Sequence, residues 1–254
     1  MKFLRATTRL CLLITVTTLH SFLLVVGRVP MLPFPKYALA WRNLIFRYWS
    51  SSVVRLLKIE VEVTNAPPVG AFLLVSNHLS YLDVVLLASQ VDCTFIAKSD
   101  VSRWPAIGAL ARLVKTIFVD RNNRRDVVGV LKKMEKSIDD GLGVVLFAEG
   151  TSTSGRSVSP FKSSLLEFAS RRKLPVHCAS ISYSTRASEP SADQSVCWWG
   201  DMTFTDHFFR LMQLTGVSAK LTFGREPVVA SDRRVLSTKL WQAVNAQFTP
   251  VAAH

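Results

Sequence analysis

Residues 10–27 form an uncharged, mostly apolar stretch bracketed by Arg9 and Arg28. As a helix it spans about 27 Å, slightly less than a hydrocarbon core. Thr15, Thr17, Thr18, His20 and Ser21 dilute its apolar character. Three readings fit: a cleaved signal peptide, a single membrane span, or a helix dipping into one leaflet. A signal peptide needs a small-residue cleavage site, and no A-x-A sequence stands near Val26. Pro30, Pro33 and Pro35 then break the chain. Over 38–57 helical spacing returns in Trp41, Leu44, Ile45, Tyr48, Trp49 and Leu56, with Arg42, Arg47 and Arg55 mostly off that face. Trp and Tyr beside Arg is an interfacial composition. A helix packed on a domain core carries a similar stripe. The interfacial reading makes residues 1–58 a two-helix membrane anchor.

Beyond Lys58 the period changes. Short β-rich runs at Ile59–Thr64, Ala71–Ser76, Cys93–Ala97, Thr116–Val119, Val144–Ala148, Val176–Tyr183 and Ala219–Phe223 predict strands. Helical patterns fall at 80–90, 104–113, 123–139, 162–172, 203–214 and 232–247. This alternation predicts one α/β domain over 59–254, a mixed sheet flanked by helices. Ser184–Ser195 reads as a polar loop containing Pro190.

Composition narrows the class. Of 254 residues, 49% are hydrophobic and only 19% charged, which excludes a wholly disordered chain. A single long uncharged stretch argues against a multi-spanning channel. The formal charge is +13, and its placement matters more than its size. Lys2, Arg5, Arg9, Arg28, Lys36, Arg42, Arg47, Arg55 and Lys58 all precede the first acid, Glu60. Basic charge interleaved with Leu, Trp and Phe points to an anionic lipid surface, not to nucleic acid. Cys11, Cys93, Cys178 and Cys197 show no metal-ligand spacing and read as buried thiols. No metal site is expected.

Candidate chemistry clusters after three predicted strands. Asn77-His78-Leu79-Ser80-Tyr81-Leu82-Asp83 follows the apolar run Phe72–Val75. A carboxylate at Asp83 that accepts from one imidazole nitrogen of His78 leaves the other nitrogen as a proton acceptor. Spacing alone also allows Asp83 merely to favour a helix start. Phe147-Ala148-Glu149-Gly150-Thr151 and the loop to Gly155 offer hydroxyls and backbone N–H groups that suit an anion or a head group; an ordinary glycine turn reads the same way. Ile117-Phe118-Val119-Asp120-Arg121 ends a strand on an Asp-Arg pair. That pair is either a surface ion pair or a guanidinium for phosphate or carboxylate.

Together these segments resemble the glycerolipid acyltransferase family, over roughly residues 59–225. The family's N-H-x-x-x-x-D motif matches at Asn77, His78 and Asp83. Its second matches at Lys98, Pro105, Gly108 and Phe118–Arg121, and its third at Phe147, Glu149, Gly150 and Thr151. Pro160-Phe161-Lys162 follows at the family spacing. Leu174-Pro175-Val176 matches a fourth motif, with Cys178 where a second proline is common. Ala148 replaces the usual proline. Ser152 replaces an arginine that helps phosphatidate-forming members hold the acceptor phosphate. That leaves Lys98, Arg121, Arg124 or Arg156 to supply charge. The Glu-Gly-Thr-Ser-Thr variant and Trp199–Phe204 look similar to members acting on lyso-ornithine lipid.

The resemblance implies an O-acyltransferase of phospholipid biosynthesis. His78 and Asp83 are the implied catalytic pair; Asn77, Lys98, Arg121, Glu149, Gly150 and Thr151 are the implied substrate contacts. The implied reaction moves an acyl group from acyl-CoA or acyl carrier protein to 1-acyl-sn-glycerol-3-phosphate, with another lysolipid such as lyso-ornithine lipid as the alternative acceptor. A non-catalytic lipid-binding protein on the same fold is the remote alternative. No cofactor beyond the thioester donor and no covalent enzyme intermediate are implied. The expected partners are a membrane lipid acceptor, the donor and the membrane surface. The expected location is the bacterial inner membrane, with the catalytic domain on the cytoplasmic side. His20, His177, His207 and His254 read as structural, surface or terminal.

Overall fold

The computed structural model describes residues 1–120 and 123–251. Among the described residues, seven strands build one sheet in the order β1-β7-β6-β2-β5-β3-β4. They are β1 (Ile59–Thr64), β2 (Leu73–Ser76), β3 (Cys93–Lys98), β4 (Ile117–Val119), β5 (Gly143–Phe147), β6 (Val176–Ser184) and β7 (Val217–Phe223). β6, β2, β5, β3 and β4 run parallel, β7 is antiparallel to β6, and β1 follows β7. The mixed sheet expected from the pattern is therefore present.

Every residue of β2 and β5 is buried, as continuous apolar runs in a parallel sheet require. Strand alternation sorts their side chains into two layers. Leu74, Val145 and Phe147 join the layer containing residues of α3 (Leu82–Gln90) and α8 (Phe204–Gln213). Leu73, Val75, Val144 and Leu146 join the opposite layer, with residues of α5 (Arg124–Asp139), α6 (Glu167–Arg172) and α9 (Arg233–Gln247). Short helices α4 (Ile107–Leu113) and α7 (Ala192–Ser195) complete the domain. All seven expected strands form, with β2 starting at Leu73 rather than Ala71 and β7 at Val217 rather than Ala219. The helix expected over 162–172 is a 3-10 turn at Ser164–Leu166 followed by α6. The expected polar loop 184–195 ends in α7, and its Glu189, Ser191 and Asp193 are buried.

Helices α1 (Lys2–Arg28) and α2 (Pro35–Leu56) precede the sheet, and they differ. Lys2–Met31 is long and apolar enough to cross a membrane, and only 6% of its most apolar window is buried. Phe3, Leu4, Leu12, Ile14, Leu19 and Phe22 are exposed along it. By contrast, α2 buries Ile45, Phe46 and Val53, with Phe46 edge-on to Phe95 of β3 at 6.4 Å. Buried Arg42 donates to the carbonyls of Cys93 (2.7 Å) and Val114 and lies 5.0 Å over the Phe46 ring. Burial pulls its pKa down to about 10. The expectation of a two-helix anchor is thus corrected: α1 is the exposed apolar helix, and α2 forms a wall of the domain.

The basic residues are divided in the same way. Arg9 donates to the carbonyls of Leu214 (2.6 Å), Met212 (3.2 Å) and Leu57 (3.4 Å). These lie at the C-terminal ends of α8 and α2, where carbonyls lack helical partners. Arg5 bonds the Gln213 carbonyl, and Arg47 pairs with Asp92. Part of the N-terminal charge therefore closes helix ends instead of facing lipid. Cys93, Cys178 and Cys197 are buried as expected, whereas Cys11 is exposed on α1.

Candidate active site

Because β2, β5, β3 and β4 are parallel, their C-terminal ends share one edge of the sheet, the usual place for a site in such folds. The motif segments that follow each strand converge there, although up to about 70 residues separate them.

The turn after β2 is held rigidly. Asn77 is fully buried and uses its amide as an extra rung of the sheet. Its Nδ2 donates to the Ile181 carbonyl at 2.9 Å, and its Oδ1 accepts from Ile181 N–H at 2.8 Å. The next residue, His78, places Nδ1 2.7 Å from Asp83 Oδ2. Asp83 lies in the first turn of α3 and is 0% exposed. Its Oδ2 also accepts from the N–H groups of Leu79 (2.6 Å) and Ser80 (3.0 Å). Its Oδ1 accepts from the Tyr183 hydroxyl at 2.8 Å. The carboxylate is surrounded by donors, so the hydrogen shared with His78 sits on Nδ1 and Nε2 carries the free lone pair. Burial and the charge of Asp83 hold the Tyr183 phenol well above its usual range, so it stays a donor. The imidazole also stacks on Phe147 at 4.1 Å, with planes 15° apart, which limits its rotation.

The loop after β5 locks onto this turn. Buried Glu149 accepts from His78 N–H at 2.7 Å through Oε1 and from Ser159 N–H at 2.8 Å through Oε2. Burial holds its carboxyl above the usual carboxylate range, against the smaller downward pull of these two backbone donors. Thr153 N–H donates to the His78 carbonyl at 2.9 Å, so both backbone groups of His78 are engaged by this loop. Gly150 adopts φ +84°, which favours glycine, and Thr151 is exposed on the same turn. Ala148, in place of the family's proline, is buried and its carbonyl accepts from Lys162 N–H at 2.8 Å.

The second motif is placed differently. Lys98 ends β3 on the same sheet edge, but it is exposed and its Nζ lies 2.5 Å from Asp100 Oδ2. Gly108 lets α4 approach the Ser102 carbonyl, which a Cβ would meet at 2.2 Å. Arg121 and the side chain of Arg124 lie outside the described residues. Arg156 pairs with buried Asp193 at 3.3 Å. The structure thus brings Asn77, His78, Asp83, Glu149 and Gly150 into one hydrogen-bonded unit and leaves Lys98 at its margin. Sequence reasoning missed Tyr183, which stands 100 residues from Asp83 and looks like any other apolar position of β6. It also missed Phe147 as the surface on which the imidazole rests.

Comparison with known proteins follows the same lines. The family model described as Acyltransferase matches residues 58–182. A lyso-ornithine lipid O-acyltransferase of Brucella abortus is 30% identical over 252 residues, covering 90% of this chain and 94% of that protein. A 1-acyl-sn-glycerol-3-phosphate acyltransferase of Neisseria gonorrhoeae is 25% identical, covering 75% of each chain. The crystal structure of the 1-acyl-sn-glycerophosphate acyltransferase of Thermotoga maritima shares the fold, with TM-score 0.59 and 20% identity over 94% of this chain and 97% of that one.

Proposed function

The chain belongs to the glycerolipid acyltransferase family and is an acyltransferase, and from that premise we propose that His78 is the general base that activates the free hydroxyl of a lysolipid. The observation that carries this reading is the 2.7 Å contact of His78 Nδ1 with a fully buried Asp83 whose other partners are all donors. In the proposed step, Nε2 takes the hydroxyl proton as the oxygen attacks the carbonyl carbon of an acyl thioester. The carbon–sulfur bond of the tetrahedral intermediate then breaks. The thiolate leaves and recovers the proton from His78, releasing CoA or carrier-protein thiol. Asp83 holds the ring in the required tautomer and stabilises the transient imidazolium. Asn77 and Glu149, with their side chains spent on backbone groups, position the His78 turn. The thioester is already activated, so the scheme uses no further cofactor.

For the acceptor, we favour a lyso-ornithine type of lipid. The Brucella relative bears that name, as does a Pseudomonas aeruginosa relative 29% identical over 84% of this chain. Ser152 stands where phosphatidate-forming members carry a phosphate-holding arginine. Lysophosphatidate is the second reading, with Arg121 and Lys98 taking its phosphate; the place of Lys98 at the C-terminal end of β3 favours it. A membrane location follows from the exposed apolar α1 and from the lipid acceptor, with the domain on the side where thioesters are made.

The test is His78→Ala in the full chain, assayed with labelled acyl-CoA and acyl carrier protein against both lysolipids. The expected loss is about 10²–10⁴-fold in kcat with the unfolding temperature nearly unchanged. Turnover near wild type would remove His78 from the chemistry.

A further inference from the structure

A cleft of about 230 Å³ opens one side chain away from the catalytic turn. Its polar lining is Gln194, Asp201, Thr203, Asp206, His207 and Arg210. Tyr81, three residues after His78, bonds His207 Nδ1 through its hydroxyl at 3.0 Å. Trp198 N–H bonds the Leu79 carbonyl at 2.8 Å, and the rings of Trp198 and Phe204 pack on Tyr81. The wall of the cleft and the turn that carries His78 are therefore one packed unit.

The charges in this cleft are not spent on the protein. Asp201 and Arg210 line it with opposite signs, and among the described residues neither forms an ion pair or a side-chain hydrogen bond. Among the described residues Asp206 accepts only from the Thr203 hydroxyl, at 2.9 Å, and forms no ion pair with Arg210 one helical turn away. His207, which also lines the cleft, is 3% exposed and is held by the Tyr81 hydroxyl on Nδ1. The helix that lines the cleft is also the one on which α1 is seated, through Phe3 on Phe209 at 6.0 Å and Arg5 on the Gln213 carbonyl. The cleft thus adjoins the exposed apolar helix, where a lipid presents its head group.

We infer that this cleft holds the polar head of the acceptor lipid, with Asp201 and Asp206 taking an ammonium group and Arg210 a carboxylate. An ornithine whose α-amine is in amide linkage offers that pair of charges. A phosphate monoester instead meets two carboxylates and one guanidinium, an excess of like charge that rejects it. The inference rests on the proposed acyl transfer to a lyso-ornithine acceptor and adds the residues that read its head group.

The experiment uses the full chain in mixed micelles with acyl-CoA as donor and either lyso-ornithine lipid or lysophosphatidate as acceptor. Asp201→Asn and Arg210→Gln should each raise the KM for lyso-ornithine lipid about tenfold, the loss of one charge-assisted contact. The KM for acyl-CoA should stay unchanged, and Asp201→Asn should raise the relative use of lysophosphatidate. Asp201→Glu and Arg210→Lys, which keep the charge, should retain most of the affinity and so separate charge from folding. If wild type acylates lyso-ornithine lipid and both neutral variants keep its KM, the cleft is not the head-group site and the acyl-transfer reading stands. If wild type acylates lysophosphatidate alone, the acceptor reading and this inference both fall, while the His78→Ala result still decides the chemistry.

Discussion

Asp83 and Asp201 are two carboxylates in neighbouring parts of one molecule, and they are treated in opposite ways. Asp83 is fully buried, and four donors converge on it. Asp201 is exposed, lines an open cleft and has no protein partner among the described residues. The difference separates two tasks. A general base must have its tautomer and orientation set before substrate arrives, which needs a carboxylate whose hydrogen bonds are all satisfied internally. A head-group site must keep its charge available, which needs a carboxylate that the fold leaves unpaired.

The strongest way to break this comparison is to neutralise Asp83. Asp83→Asn puts an amide donor into a site built from donors, so one buried N–H or O–H loses its acceptor. The expected outcome is a kcat loss approaching that of His78→Ala, with stability lowered by about 1–3 kcal/mol. Single-turnover kinetics and denaturant unfolding measure the two. A fall in stability alone, with kcat kept, would make Asp83 a helix-start residue only.

A smaller effect is expected from Tyr183→Phe, which leaves Asp83 Oδ1 without its phenolic donor. A carboxylate with one hydrogen bond fewer is held less firmly, so the imidazole it orients is less well fixed. The kcat should fall about tenfold or less, with the acceptor KM unchanged. A variant with the wild-type kcat would mean that the Tyr183 hydroxyl only fills space.

The mildest change concerns the other side of the comparison. Ser152→Arg restores the family's cation on the loop after Gly150, and it should shift preference toward lysophosphatidate by a few-fold to about tenfold. Competition between the two lysolipids in one vesicle reads this ratio. No shift would place acceptor choice elsewhere, and the cleft on α8 would then carry it alone.

Much of the site is legible in local sequence because its parts are local. The run Ala71–Ser76 reads as a strand, Asn77–Asp83 as a strand-to-helix turn, and Glu149-Gly150 as a turn after another strand; all three form, with the strand beginning two residues later at Leu73. The α/β alternation likewise follows from hydrophobic period, and the strand runs form within about two residues of their expected bounds. Other features depend on contacts between distant segments, and a one-dimensional pattern does not carry them. Tyr183 reaches Asp83 only because β6 pairs with β2, and the amide of Asn77 finds Ile181 only through that same register.

The N-terminal helices show where that boundary runs. Sequence by itself determined that α1 and α2 are helices, that α1 is apolar enough for a bilayer, and that basic residues crowd both. Tertiary structure decided that α2 closes the domain and that Arg9 and Arg42 serve carbonyl groups, at helix ends for Arg9 and at the Cys93 and Val114 carbonyls for Arg42. The physical reason is that an amphipathic stripe states how much apolar area a helix must cover, but not what covers it. A membrane and a neighbouring helix satisfy the same stripe, and only the packed chain selects between them.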